Sequence, residues 1–306
     1  MTDAPIDCAV IGGGPAGLTA ALYLARFHLS VVVVDARDSR AALIPRTRNV
    51  PGFPGGIGGP TLLRRMARQA EDYGARIVLA EATALTRKRD TFHLATGAGP
   101  IAARSVLIAT GVHNHRPDIS ARDHKAALRR GLLRYCPICD GYEVTDSDIG
   151  VIGTGTHGVR EALFLRGFTA RVSLIAPDAP HALSREDRAV LDRAGVTVLD
   201  GPCGPLVLEG ERIALDTAAG RRAFASIYPA LGSTIRSDLA RGLKTKMSED
   251  GCLLVDTHQR TSVTGLYAAG DVVKGLDQIS HAMGEGGVAA TTIRNDLAER
   301  QPLLRR

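Results

Sequence analysis

Two stretches of the chain repeat one arrangement of apolar and small residues. Residues 6–11 (IDCAVI) form a short apolar run that breaks at Gly12-Gly13-Gly14-Pro15-Ala16-Gly17. The chain resumes as LTAALYLARF, with apolar residues at helical spacing, and ends in a second apolar run, VVVVD, closed by Asp35. The same order recurs from Asp148: IGVIG, then Gly153-Thr-Gly155-Thr-His-Gly158, then VREALFLRGF, then RVSLIA. Each copy predicts a strand, a tight turn, a helix and a parallel strand. Two other runs read as strands with small-residue ends. RSVLIATG at 104–111 closes with Thr110-Gly111, and TSVTGLYAAGDVV at 261–273 carries Gly270-Asp271. The pattern predicts an α/β fold with two Rossmann-like nucleotide-binding domains, the first of which does not end where the second begins.

Composition narrows the class. A length of 306 residues suits two domains of about 150 each. Five cysteines (8, 136, 139, 203 and 252) are too few and too scattered for a secreted disulfide framework, which points to a reducing, cytoplasmic setting. The N-terminal residues run straight into the glycine turn with no basic flank and apolar leader, and no stretch approaches the roughly 18 apolar residues of a membrane helix. The net charge of +6 raises nucleic acid as a partner. Against it, the basic residues come in short interrupted groups (Arg64, Arg65 and Arg68; Arg87, Lys88 and Arg89; Arg129 and Arg130). Only 4% of residues are aromatic and there is no Trp, which leaves few stacking platforms. The basic groups read as a solvated face or as a dock for an acidic protein.

Chemistry enters through the glycines and one cysteine pair. A lone GxGxxG carries little weight, but Gly12, Gly14 and Gly17 sit between strand-like and helix-like runs, and Asp35 follows Gly17 by 18 residues. That is the dinucleotide fingerprint: a tight turn, a helix N-terminus facing a pyrophosphate, and an acid accepting from ribose hydroxyls. Gly270-Asp271 reads as an ordinary turn or as a carboxylate offered to a ligand's hydroxyls. RYCPICDGYE, residues 134–143, holds the only paired cysteines, Cys136 and Cys139. Zinc would need further ligands, yet the remaining cysteines stand alone and there is no nearby His pair. A structural disulfide would close a tiny loop in a reducing compartment. The third reading is a redox dithiol. Asp140 is a turn-forming carboxylate or, in this motif, a proton carrier.

GGGPAG with Asp35, then NVPGFPGGIGGPTLL, LIATG, CPICD, GTGTHGVREALFL and TSVTGLYAAGDV, in that order, resemble the low-molecular-weight thioredoxin reductase family of flavoprotein disulfide reductases. The resemblance runs from Ile6 to about Asp296. It implies an FAD domain in two segments (1–117 and 246–306) with an NAD(P)-binding-like domain (118–245) inserted between them and carrying the CxxC near its start. It also implies a homodimer and a thioredoxin-like protein or small disulfide or dithiol as substrate. By the family pattern FAD would meet Gly12, Gly14, Pro15, Ala16, Gly17, Asp35, Asn49, Thr110, Gly111, Gly270, Asp271, Gln278 and Ile279. Cys139 would face the flavin, Cys136 would attack the substrate's disulfide, and Asp140 would exchange a proton with the departing thiol. Gly153, Gly155 and Gly158 would hold NAD(P). His281 falls in the segment that covers the flavin, as an acid/base, a ring donor or a structural residue. His157 sits inside the second glycine turn.

Two departures from the family bear on the substrates. NADPH-using relatives carry a His-Arg-Arg run after the second strand of the inserted domain, to pair with the 2′-phosphate. Here Ala176, Pro177 and Asp178 stand there. The domain then takes NADH, with Asp178 on the ribose, or NADPH weakly through a distant residue such as Arg185. Otherwise it takes no nicotinamide, as in relatives fed by ferredoxin or in dithiol oxidases that pass electrons to oxygen. The loop after Asp35 also lacks the family's Gly-Gly-Gln stretch. A flavin-bearing redox sensor without turnover is the reading from another class.

Overall fold

The computed structural model describes residues 4–304; positions 1–3 and 305–306 of the expected outer segments lie outside the described residues. The first unit opens with β1 (Ile6–Ile11), α1 (Pro15–Arg26), β2 (Val31–Asp35), a 3-10 turn (Arg40–Leu43), α2 (Gly59–Asp72) and β3 (Arg76–Leu79). A hairpin of β4 (Ala82–Lys88) and β5 (Thr91–Thr96) follows, then β6 (Ile101–Ile108) and β7 (Val112–Asn114). The inserted unit holds α3 (Ala121–Arg130), α4 (Pro137–Asp140), β8 (Asp148–Gly153), α5 (Gly155–Leu165), β9 (Arg171–Ile175), α6 (Arg185–Arg193) and β10 (Thr197–Leu199). It continues through β11 (Val207–Glu209), β12 (Arg212–Thr217), β13 (Gly220–Phe224) and β14 (Ser226–Ala230). The chain returns through β15 (Ser233–Ile235), α7 (Asp238–Arg241), β16 (Leu266–Ala268) and α8 (Ile279–Arg300).

The first sheet has the order β3-β2-β1-β6-β5-β4, with β16 also on β6. β6 is shared lengthwise: Ala103 pairs antiparallel with Phe92 of β5, while Val106 pairs in parallel with Leu266 of β16. β1 is covered on both faces, so it reads as an unbroken apolar run. Cys8 and Val10 pack with Leu24 of α1 and Ile293 of α8, whereas Ala9 and Ile11 pack with Phe92 and Leu266. The second sheet, β10-β9-β8-β14, is parallel throughout and carries the antiparallel β11-β12-β13 beside it. β7 and β15 pair as a two-stranded ribbon, through which the chain leaves the first unit and re-enters it. The fold is thus two Rossmann-like units with the second inserted into the first.

In the first sheet β1 lies between β2 and β6, so the chain leaves the ends of β1 and β6 in opposite directions. Such a switch point opens a crevice at the strands' C-terminal ends. Two expected elements differ in extent. The run 261–273 contains only the three-residue β16, because Gly265 takes a positive φ of 83° and the Thr261 amide turns back onto the Leu266 carbonyl. α1 begins at Pro15 rather than at the first apolar residue, Leu18, since proline at the first helical position needs no hydrogen-bond partner for nitrogen.

Candidate active site

The crevice is a cavity of about 580 Å³, a size suited to a cofactor. Gly12, Gly14, Pro15 and Ala16 form one wall and Asp35 closes it at the end of β2. The turn needs glycine for steric reasons. Gly12 has φ 115°, and a Cβ on it would lie 2.2 Å from the Ala109 carbonyl oxygen. A Cβ on Gly17 would lie 2.0 Å from the Gly12 oxygen, so Gly17 seats α1 against the turn and does not line the cavity. α1 has no side-chain cap, which leaves its first amides free for an anion, and Asp35 Oδ1 accepts from the Arg37 amide at 2.9 Å. A fixed acid beside an uncapped helix end is the donor and acceptor set that a dinucleotide's ribose and pyrophosphate require.

The rest of the lining comes from distant parts of the chain. Thr110 and Gly111 follow β6, Gly270 and Asp271 follow β16, and Gln278 and Ile279 open α8. The Gly270 amide donates to Glu285 Oε2 at 2.7 Å. Arg40 Nη1 donates to Asp271 Oδ2 at 3.2 Å and to Asp277 Oδ2 at 2.9 Å. Burial raises the Asp271 carboxyl above its ordinary range, the Asp277 charge adds to this, and Arg40 opposes it.

Cys136 and Cys139 form a disulfide, Cα to Cα 5.3 Å, in the wall of this cavity. Cys136 caps the one-turn α4 and Pro137 starts it. The Cys136 sulfur accepts from the Cys139 amide at 3.1 Å and from Gln278 Nε2 at 3.3 Å; Gln278 Nε2 also lies 3.4 Å from the Cys139 sulfur. A relay sets the Gln278 amide. Thr47 Oγ1 donates to Asn49 Oδ1 at 2.8 Å, and Asn49 Nδ2 donates to Gln278 Oε1 at 2.9 Å, which turns Nε2 toward the sulfurs. Asn49 is exposed and stands one hydrogen bond behind the cavity wall.

Asp140 lies beside the pair. Its Oδ2 accepts from Arg134 Nη1 at 2.8 Å and its Oδ1 from the buried Tyr228 hydroxyl at 2.9 Å. Burial lifts the Asp140 carboxyl above the usual range, while the Arg134 charge and the bonds from Arg134 and Tyr228 work against the rise. A buried carboxyl with two donors can hold or release a proton next to a thiol.

Other expected residues lie outside the cavity. A Cβ on Gly153 would stand 2.8 Å from Ala230 Cβ, and one on Gly158 would stand 2.8 Å from the Gly153 carbonyl carbon. Packing among β8, α5 and β14 therefore demands both glycines, and Gly155 has φ 58°. None of the three lines the cavity. His281 Nε2 sits 3.1 Å from Glu285 Oε1 and also stays out of the lining. His157 is exposed, 3.9 Å from Glu161, whose carboxyl burial pushes up to about 7. Arg40, Arg134, Tyr228 and Glu285 are the site residues that the sequence reading missed. Arg134, two residues before Cys136, is the one with a local signal.

A dinucleotide crevice on a doubled α/β fold, with a disulfide in its wall, defines a flavoprotein disulfide oxidoreductase. The chain belongs to the pyridine nucleotide-disulphide oxidoreductase family, whose model matches residues 6–286, and within it to the low-molecular-weight thioredoxin reductase-like group. It is 31% identical over 277 residues to a thioredoxin reductase of Streptomyces clavuligerus, covering 86% of this chain and 85% of that protein. Among solved structures, HlmI superposes with a TM-score of 0.89 at 30% identity, covering 98% of this chain and 94% of the other. The thioredoxin reductase of Streptococcus pyogenes MGAS5005 gives 0.88 at 25% identity, covering 97% of this chain and 100% of the other.

Proposed function

We propose that the protein moves electron pairs between a bound FAD and a disulfide or dithiol substrate through Cys136 and Cys139, without ordinary NADPH recognition. The observation that carries this reading is the shared cavity: the disulfide lies in the same wall system as the glycine turn, Asp35 and Asp271. When bound, FAD supplies a ring that accepts or releases two electrons. Gly12, Gly14, Pro15 and Ala16 with the first amides of α1 would hold its pyrophosphate, and Asp35 a ribose. Thr110, Gly111, Gly270, Asp271, Gln278 and Ile279 would line the remainder.

In the reduced protein, Cys136 is the attacking sulfur, because the Cys139 amide, which moves with it in the inserted unit, donates to its sulfur and favours its thiolate. Its attack on a substrate disulfide forms a mixed disulfide and releases the other substrate sulfur as a thiolate, which takes a proton from Asp140. Cys139 then attacks the Cys136 sulfur, re-forms the internal disulfide and releases the second substrate thiol. The same steps reversed oxidise a substrate dithiol. Relatives named thioredoxin reductase support a thioredoxin-like substrate. Rotation of the inserted unit would carry the dithiol from the cavity to such a partner.

The donor reading rests on the loop after β9. Asp178 stands where a 2′-phosphate would call for guanidinium, and the loop is folded onto the end of β10. A Cβ on Gly201 would lie 2.7 Å from the Ala176 oxygen and 2.8 Å from the Ala179 oxygen, and the Cys203 amide donates to the Pro177 carbonyl. The same loop favours a second reading, in which a small dithiol or reduced ferredoxin feeds the site and, for the dithiol, oxygen is the acceptor. Anaerobic titration of the flavin-loaded protein with NADPH, NADH and a small dithiol, followed at the flavin band, tests both. Bleaching by the dithiol, with NADPH no better than NADH, is expected. Bleaching by NADPH at far lower concentration than by NADH contradicts the reading of the loop.

A further inference from the structure

Arg40 is a cation that dinucleotide-turn patterns do not call for, and it is held firmly. It opens the 3-10 turn that α2 pins from below: the Gly59 amide donates to the Ile44 carbonyl, and a Cβ on Gly59 would fall 1.8 Å from the Ala41 oxygen. Its place relative to α1 follows from contacts on either side. The preceding residue, Ser39, has its Oγ 3.4 Å from where a Gly14 Cβ would stand, and Gly270, which precedes its partner Asp271, would put a Cβ 3.0 Å from Ala16 Cβ. Arg40 therefore lies beside the first turn of α1 and lines the same cavity as Gly14 and Ala16.

The charges around it explain why a cation is needed. Asp271 and Asp277, both in the cavity wall, contact Arg40 Nη1, and Glu285 stands behind that wall on the Gly270 amide, so two carboxylates with a third behind them face a pyrophosphate. The other guanidiniums of the cavity wall are engaged elsewhere: Arg46 with the Gly55 carbonyl, Arg134 with Asp140 and Arg236 with Asp38. Among the described residues, Nε and Nη2 of Arg40 have no hydrogen-bond partner, so the guanidinium keeps a donor edge in reserve while Nη1 anchors it.

We infer that Arg40 is a pyrophosphate clamp: held by Asp271 and Asp277 in the cavity that the first turn of α1 also lines, it pairs with the diphosphate of the dinucleotide and offsets the carboxylates that would repel it. The inference rests on the proposed FAD site. The test titrates the flavin-free full-length chain and its Arg40→Gln and Arg40→Lys variants with FAD and with riboflavin, which has no phosphate, and follows quenching of flavin fluorescence. A charge-assisted bond to phosphate predicts about a tenfold or larger loss of FAD affinity in Arg40→Gln with riboflavin affinity unchanged. Arg40→Lys should recover part of it, since the charge is kept and the fork is lost. The difference between FAD and riboflavin should also shrink with added salt in the unsubstituted protein more than in Arg40→Gln. FAD affinity unchanged in Arg40→Gln overturns the clamp. A parallel loss of FAD and riboflavin in both variants also overturns it, because Arg40 is then a staple between two loops. If the unsubstituted chain binds neither flavin, the cavity assignment itself fails.

Discussion

At Asp140 two physical effects oppose each other within one side chain. Burial favours the neutral acid, and Arg134 and Tyr228, at 2.8 and 2.9 Å, favour the carboxylate. The balance leaves the group above the usual carboxylate range, the direction that suits a carboxyl passing a proton to a departing thiol. Removing the guanidinium leaves burial with less opposition, so the acid should release its proton at higher pH. In Arg134→Gln the pH limb of disulfide exchange by the reduced protein should therefore move upward, and in Asp140→Asn that limb should vanish with a rate loss of about 100-fold. Stopped-flow exchange with a small disulfide across pH reads both; superimposable profiles for Arg134→Gln and the unsubstituted protein would remove Arg134 from the account. The dithiol and Asp140 were legible in the sequence because they are adjacent. Arg40 and Tyr228 were not, because their partners lie 231 and 88 residues away and no local pattern links them.

Among the elements, α1 and α8 show how closely the site depends on backbone approach. α8 crosses the first turn of α1 at Gly286, where a Cβ would lie 2.3 Å from the Ala16 carbonyl oxygen. Two residues earlier in the same helix, a Cβ on Gly284 would meet nothing within 4 Å beyond the helix's own backbone. The pair gives opposite expectations for one substitution. Gly286→Ala should push α8 off the turn and lower stability by about 2 kcal/mol or more, with loss of bound flavin. Gly284→Ala should raise stability by about 0.5–1 kcal/mol through helix propensity. Thermal melts of the two variants check this, and equal effects would mean that the helices do not meet as described. The strand-turn-helix repeats were readable because each is a continuous local pattern of apolar runs around glycines. The hairpin of β4 and β5 and the sheet of β11 to β13 were not, since strands that are largely exposed or very short, such as Ala82–Lys88 and Val207–Glu209, carry too few apolar positions to show a period.

Across the whole molecule, the inserted unit touches the first through polar contacts suited to separation. Arg48 pairs with Glu143 at 3.5 Å at the edge of the contact, and Gln278 reaches both sulfurs. A partly exposed pair of this kind holds with about 1 kcal/mol or less, which fits the proposed rotation of the inserted unit. Among the described residues no helix is long and apolar enough to cross a membrane. The central claim is that electrons pass between the cavity and substrate only through the Cys136–Cys139 pair. Anaerobic mixing of the flavin-loaded protein with a small dithiol measures this most directly, comparing the unsubstituted chain with Cys139→Ser at matched flavin content. The account predicts rapid bleaching of the flavin band in the first and none above the protein-free background in the second. Bleaching of Cys139→Ser at the unsubstituted rate would contradict it.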